Sequence, residues 1–428
     1  MVSQLIHKIN SSDIAKRMTK GVYWSLIGTA LGKLCVFLTG IVCARILGKE
    51  LFGELGMVRT TIGMFIVLGA AGIGVTATRY ISLYRDQEKS HAASIYKLST
   101  YFSWIIGLFI SALVFYFSGT ISKTSLNAPD LKYAVELGSI MLLLSIVNGA
   151  ENGTLVGFED FRSIATNTFI GSLAESTLMI IGAYYYKLEG AILGFGAGIL
   201  VLYLLNKFAS RKNFKRQDII IKDQRILATD WKLIYRYSIP ATLSALTVTP
   251  ALFVIRSILI RHNSYSELAT FEVADQWKVI LLFIPSTISQ IVLPILSSIK
   301  KEQTFKKTVR MNIYIAAIVS GILALLTIVF SNFIISFYGA DYTNTYPLIL
   351  LTLSTIFSSI SNVIEMSIYS KDKMWISFTM SLIWAIILIV LSIYFENIGL
   401  ASTGLALSVF LSYVIKSIYI GTYAKYKI

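Results

Sequence analysis

The chain has 428 residues, 55% of them hydrophobic and only 14% charged, with a formal net charge of +15. A water-soluble fold of this size needs more polar surface, and strand-like alternation is scarce, so a soluble domain and a membrane β-barrel are both excluded. The positive charge points first to nucleic acid, but the basic residues gather in loops on one side of long apolar segments, as in membrane proteins that obey the positive-inside rule.

In chain order, the apolar segments predict twelve membrane helices, over 22–44, 53–78, 95–117, 132–157, 163–185, 189–206, 233–256, 270–297, 309–331, 344–368, 375–395 and 399–420. A polar arm with Lys8, Lys16, Arg17 and Lys20 precedes the first segment, which is too long for the core of a cleavable signal peptide. Cys35 and Cys43 share that segment, and the helix between them holds them about 12 Å apart, too far for a disulfide. His7, His91 and His262 fall in or near loops, so no metal cluster is expected. Arg79, Arg85, Lys89 and Lys97 mark the next loop on the side of the basic arm, and "NKFASRKNFKRQDIIIKDQR" begins the long loop 207–232. "SSIKKEQTFKKTVR", "SKDKM", Lys425 and Lys427 continue the series, whereas the opposite loops hold only Arg45, Lys49, Lys123, Lys187 and Arg261. Both termini are therefore expected in the cytoplasm.

The basic loop divides the chain into 1–206 and 233–428, each with six segments, joined by a cytoplasmic linker at 207–232. A shift of half the length lays "NGAENGTLVGFEDFR" on "NVIEMSIYSKDKMW", both beginning Asn-x-x-Glu, and "ELGMVRTT" on "ELATFEVA". Six spans per half is even, so the halves form a parallel pseudo-repeat about an axis along the membrane normal. Glycine favours the first half, with Gly28-x3-Gly32 and Gly149-x3-Gly153-x3-Gly157 as close-packing stripes. Pro240, Pro250, Pro285 and Pro294 are candidate bends in the second.

Ionisable residues at membrane depth cost several kcal/mol and mark functional candidates. Lys33, Arg59, Arg256 and Lys278 suggest a cationic cavity between two bundles, suited to a phosphate. Three of them have a blander reading. Arg256 can snorkel to the interface, Lys278 can pair with Asp275 one turn away, and Arg59 with Glu54. Lys33 has no acidic neighbour on its own helix. Glu175, Asp275, Glu151 and Glu365 are candidates for loading a proton or sodium ion, with pairing to a nearby base as the alternative. The P-loop, HExxH and GxSxG motifs and paired-cysteine metal sites are all missing, so the chain is expected not to be an enzyme and to need no cofactor or metal.

Over essentially the whole chain, including its length and twelve spans, and most specifically in "ARILGKELFGELG", a small-residue second helix ending "GIGVTATRYIS", and "LLFIPSTISQIVLPILS" at 281–297, the sequence resembles the polysaccharide flippase family of O-antigen and capsule-unit translocases. That family sits in the multidrug/oligosaccharidyl-lipid/polysaccharide exporter superfamily. The resemblance implies an all-α polytopic membrane protein of two six-helix bundles around a V-shaped central cavity. It implies as substrate an undecaprenyl-diphosphate-linked oligosaccharide, moved from the cytoplasmic to the outer leaflet of a bacterial inner membrane by ion-coupled alternating access. Partners would be a proton or sodium ion, a glycan polymerase and a chain-length regulator, with no nucleic acid. The rival readings are a multidrug antiporter, whose cavity should be acidic and aromatic, a lipid II flippase, which should be longer, and a non-transporting scaffold of glycan assembly.

Overall fold

The computed structural model describes residues 13–86, 88–221, 247–286, 296, 301–371 and 374–427. The expectations on residues 222–246, on most of 287–300 and on Pro240 and Pro294 lie outside them. The first helix, α1 (Asp13–Tyr84), has 72 residues. Straight, it would run roughly 110 Å, more than three times the ~30 Å core of a bilayer. It folds back at Gly48, whose backbone (φ 74°, ψ 176°) lies in a region open essentially to glycine alone. Helices α2 (Lys89–Tyr116) and α3 (Lys132–Gly157) follow. The next, α4 (Phe161–Arg216), again makes two arms, bent at Tyr186 and Lys187. The sixth predicted segment thus runs on as helix through the first ten residues of the expected linker.

The glycine stripes pack helix backbones together, as expected. A Cβ at Gly28 would strike Ala165, and Gly32 faces Ser172, so the first arms of α1 and α4 lie in contact. Gly149 faces Ala70, Gly153 faces the backbone of Gly74, and Gly157 faces Ile81, which seats α3 on the second arm of α1. Near Asp160, Tyr80, Tyr96, Phe158 and Phe214 form a separate core. Arg85 donates there to the carbonyl of Gly157 (2.8 Å) and to Glu159 (2.7 Å). Asp160 caps the following helix through Ser163 N–H and accepts from Asn213 (2.7 Å), tying the two ends of α4 together.

The second half comprises α5 (Val248–His262), α6 (Tyr265–Leu281), α7 (Glu302–Val329), α8 (Tyr346–Tyr369), α9 (Met374–Asn397) and α10 (Ala401–Lys427). Pro285 does mark a break: α6 ends at Leu281, the residue whose carbonyl a proline at that position cannot engage. Pro250 is the third residue of α5, and the residues before Thr247, on which its effect depends, lie outside the described ones.

The halves share a plan. In the first, α3 meets the second arm of α4 through Asn148–Asn206 (2.9 Å) and through Ser210, which donates to the carbonyl of Glu151. In the second, α8 meets α10 through Ser361–Ser417 (2.9 Å) and Glu365–Lys416 (2.8 Å). The matched Asn-x-x-Glu motifs therefore face equivalent neighbours. Eight helices among the described residues are long and apolar enough to cross a membrane, including both bent ones. Each predicted segment overlaps a helical stretch in its described part. Phe109, Leu325, Ile386 and Ile418 stand exposed on the outside, where lipid rather than water must solvate them.

The halves meet around the Gly48 bend. A Cβ at Gly53 would strike the Tyr265 carbonyl, one at Gly56 the Glu272 side chain, and one at Gly40 that of Gln276. Arg45 donates to the carbonyl of Phe337, Arg261 to that of Thr124 (2.8 Å), and the Tyr265 hydroxyl to that of Leu126 (2.5 Å).

Candidate functional site

Both arms of α1, the first arm of α4, α5 and α6 enclose a cavity of about 500 Å³ between the two halves. Its wall includes Thr29, Lys33, Phe37, Arg59, Thr168, Ser172, Arg256, Glu272, Asp275 and Gln276. Three of the four predicted cations line it. Lys278 does not.

The cations differ in what holds them. Arg256 is almost wholly buried, its side chain 4% exposed, and donates to Glu272 (2.6 Å), Asp275 (3.0 Å) and the carbonyl of Leu252 (3.2 Å). Its guanidinium also lies over the Phe271 ring, 5.1 Å from the centroid. Lys278, equally buried, pairs with the other carboxylate oxygen of Asp275. These four groups form one charge-balanced knot from two helices. The expectation that Arg256 snorkels to an interface fails: two carboxylates on α6 hold it inside. Lys278 is the partner of Asp275, as its blander reading had it.

Arg59 bonds Glu175 on α4 at 3.2 Å and lies over Phe195, 4.7 Å from the ring centroid. Its partner is not Glu54, which lies five residues earlier on the same arm and so points about 140° away around the helix. The pair is asymmetric, with the Arg59 side chain 30% exposed to the cavity and that of Glu175 15%. Lys33 lies across the cavity, its ammonium 5.1 Å from the Phe283 ring. Among the described residues no carboxylate lies within 4 Å of it. The wall and its immediate partners thus carry four cations against three carboxylates, with the surplus at Lys33.

Glu151 and Glu365 lie away from the cavity. Glu151 is fully buried; one carboxylate oxygen accepts from the Tyr96 hydroxyl (3.0 Å), and among the described residues the other has no hydrogen-bond partner. Glu365 pairs with Lys416, whose ammonium lies 5.7 Å from the Trp384 ring. Sequence reading missed the neutral polar lining of Thr29, Thr168, Ser172 and Gln276. The spacing of Thr168 and Ser172, one helical turn apart, was a usable signal.

The sequence model of a family described as polysaccharide biosynthesis protein matches residues 18–300. An EPS I polysaccharide export inner membrane protein, EpsE of Ralstonia solanacearum, is 21% identical over 88% of this chain and 87% of its own. The succinoglycan biosynthesis transport protein ExoT of Rhizobium meliloti is 24% identical over 48% of this chain, a match spanning 41% of that protein. Among solved structures, an inward-facing multidrug resistance MATE family transporter of the MOP superfamily superposes with a TM-score of 0.75, at 16% identity over 92% of this chain and 94% of that one. A MOP superfamily transporter from Pyrococcus furiosus, described as having a binding pocket of reversed polarity, gives 0.70 at 16% identity over 96% of both.

Proposed function

The chain belongs to the polysaccharide biosynthesis protein family, and on that premise we propose that it flips a lipid-linked oligosaccharide, carried on undecaprenyl diphosphate, across the bacterial inner membrane. The observation that carries the reading is the cavity itself. It lies between two helix bundles and presents Arg59 and a Lys33 that no described carboxylate neutralises. A diphosphate supplies the charges this wall lacks, and Thr29, Thr168 and Ser172 supply hydroxyls for sugars. A carrier of cationic drugs fits less well, because Glu272 and Asp275 are already bound by Arg256 and Lys278.

The basic residues support an orientation. Arg79, Arg85, Lys207, Arg211, Lys215 and Arg216 cluster with the Asp160 end, which makes it cytoplasmic, and the Gly48 bend then faces outward. The seam formed by Gly53, Arg45 and Arg261 closes the outer side, so this arrangement loads from the cytoplasm. The reading makes the protein a transporter, not an enzyme, in agreement with the relatives' names.

The test is mass spectrometry of undecaprenyl-diphosphate lipids in cells lacking both this protein and the glycan polymerase. Complete single units confined to the cytoplasmic leaflet are expected. Units that still reach the outer leaflet, in cells newly sensitive to cationic drugs, overturn the reading in favour of drug export.

A further inference from the structure

Apart from Arg256, the cavity's two cations are held in different states. Lys33 has no carboxylate within 4 Å among the described residues, whereas Arg59 is bonded to Glu175 at 3.2 Å. Glu175 is the only ionisable residue between Ser163 and Ala183. Behind it, Gly198 of the other arm of α4 packs directly on its Cβ, so the carboxylate cannot withdraw in that direction. That arm presents Phe195 as well, and α3 meets it through Met141; none of these is ionisable. From α1, Arg59 is the charged group in contact with Glu175. The Cys43 thiol lies within electrostatic reach of Arg59, and Lys33 stands on the same arm as Cys43. Across the cavity, Arg256, Glu272, Asp275 and Lys278 satisfy one another. Arg59 is therefore the group on which Glu175 depends.

A guanidinium binds phosphate as readily as carboxylate, through the same fork of N–H donors. Given the cavity's function as a diphosphate carrier, on which this step rests, we infer that Glu175 stands in for the substrate's anion while the cavity is empty. Entry of the diphosphate transfers Arg59 from Glu175 to a phosphate oxygen. The displaced carboxylate, confined at membrane depth without its counter-ion, takes one proton from water in the open cavity. Substrate binding and proton uptake are then a single linked event, and linkage works in both directions: protonating Glu175 frees Arg59 and tightens anion binding. The sign follows from the competition. An ionised Glu175, favoured as pH rises, competes for Arg59; a protonated one does not.

The test uses the full chain in detergent and, as probe, a short-chain prenyl diphosphate-linked N-acetylglucosamine. As a diphosphate diester the probe has no group titrating near neutrality, unlike a phosphate monoester. Titration calorimetry in two buffers of different ionisation enthalpy counts protons taken up per probe bound. Close to one is expected, with affinity weakening by up to about tenfold per pH unit where Glu175 is ionised. Glu175→Gln should bind at least as tightly, with little proton uptake and a flattened pH profile. Wild-type binding without proton uptake overturns the linkage but leaves the substrate reading standing. Uptake that persists in Glu175→Gln moves the linkage to another group and refutes the assignment. Loss of binding in a Glu175→Gln chain that elutes and melts like wild type makes Glu175 a brace for Arg59 and refutes the stand-in role. Failure of the wild-type chain to bind the probe removes the substrate reading itself.

Discussion

Replacing Arg256 by methionine and Lys33 by alanine should separate two kinds of intramembrane cation. Arg256→Met keeps much of the side chain's apolar volume and removes the charge. It strands Glu272 and part of the demand of Asp275, carboxylates only 13% and 17% exposed. Removing one partner of a buried ion pair typically costs ~3–5 kcal/mol, mostly as the penalty on the charge left behind. At roughly 2–4 °C per kcal/mol, typical of larger domains, the melting temperature should fall by ~6–20 °C. Lys33→Ala strands no carboxylate and should leave the melting temperature within about 2 °C of wild type, as for sites remote from such networks. It should instead weaken diphosphate binding. A hydrogen bond to a charged group is worth ~1.5–3 kcal/mol, or about 10- to 150-fold in affinity. The assays are thermal unfolding in detergent, followed by tryptophan fluorescence, and binding of the prenyl diphosphate sugar at low salt. The reasoning fails if Arg256→Met melts like wild type and loses binding, since Arg256 would then be a ligand rather than a brace. It fails equally if Lys33→Ala binds the probe at full affinity.

Three further outcomes follow from the packing. Gly53→Leu drives a side chain into the Tyr265 carbonyl and should hold the Gly48 end open. In a chain with Cys35 and Cys43 replaced, Leu55→Cys should then become reactive toward an impermeant maleimide added outside the cell, and unchanged protection would refute the seam. Gly153→Leu meets the backbone of Gly74, which cannot turn away as a side chain can, so α3 must separate from α1 at a cost of about 1–3 kcal/mol, read as a lower melting temperature. Glu365→Gln and Lys416→Met should each destabilise by roughly 3–5 kcal/mol, whereas the double variant should lose less than the sum, because no buried charge is left alone. Additive losses in that cycle would mean that the two side chains act independently.

Much of the fold was legible because membrane helices announce themselves by length and apolarity, and loops by charge. Gly48 shows where that legibility stops. Hydropathy located a turn between the segments ending at 44 and starting at 53, but not the single glycine whose backbone makes it, nor that helix resumes at once on the other side. The basic stretch after residue 206 shows a related limit. Charge marks where a helix leaves the membrane, not where it ends, and α4 continues to Arg216, with Ala209, Ser210 and Phe214 buried.

The site was half legible, and the missing half was partnership. Composition and depth selected Lys33, Arg59, Arg256 and Lys278 as one group, because a charge at membrane depth is costly wherever it occurs. What divides the group is the company each keeps across helices, and that depends on contacts far apart in the chain. Lys278 was within one turn of its partner, so its pairing could be read off the sequence. The ties from Arg256 to Glu272 and Asp275 cross from one helix to the next, and the tie from Arg59 to Glu175 spans 116 residues. The same principle explains why the two Asn-x-x-Glu motifs, alike in sequence, need not act alike. Glu365 has the Lys416 ammonium at 2.8 Å, while Glu151 accepts from the neutral Tyr96 hydroxyl at 3.0 Å. A repeat fixes where a carboxylate sits in its bundle; the opposing helix decides whether its charge is neutralised there. On the proposed function, that decision leaves Lys33 and Arg59 to meet an anion, and Arg256 to hold the wall.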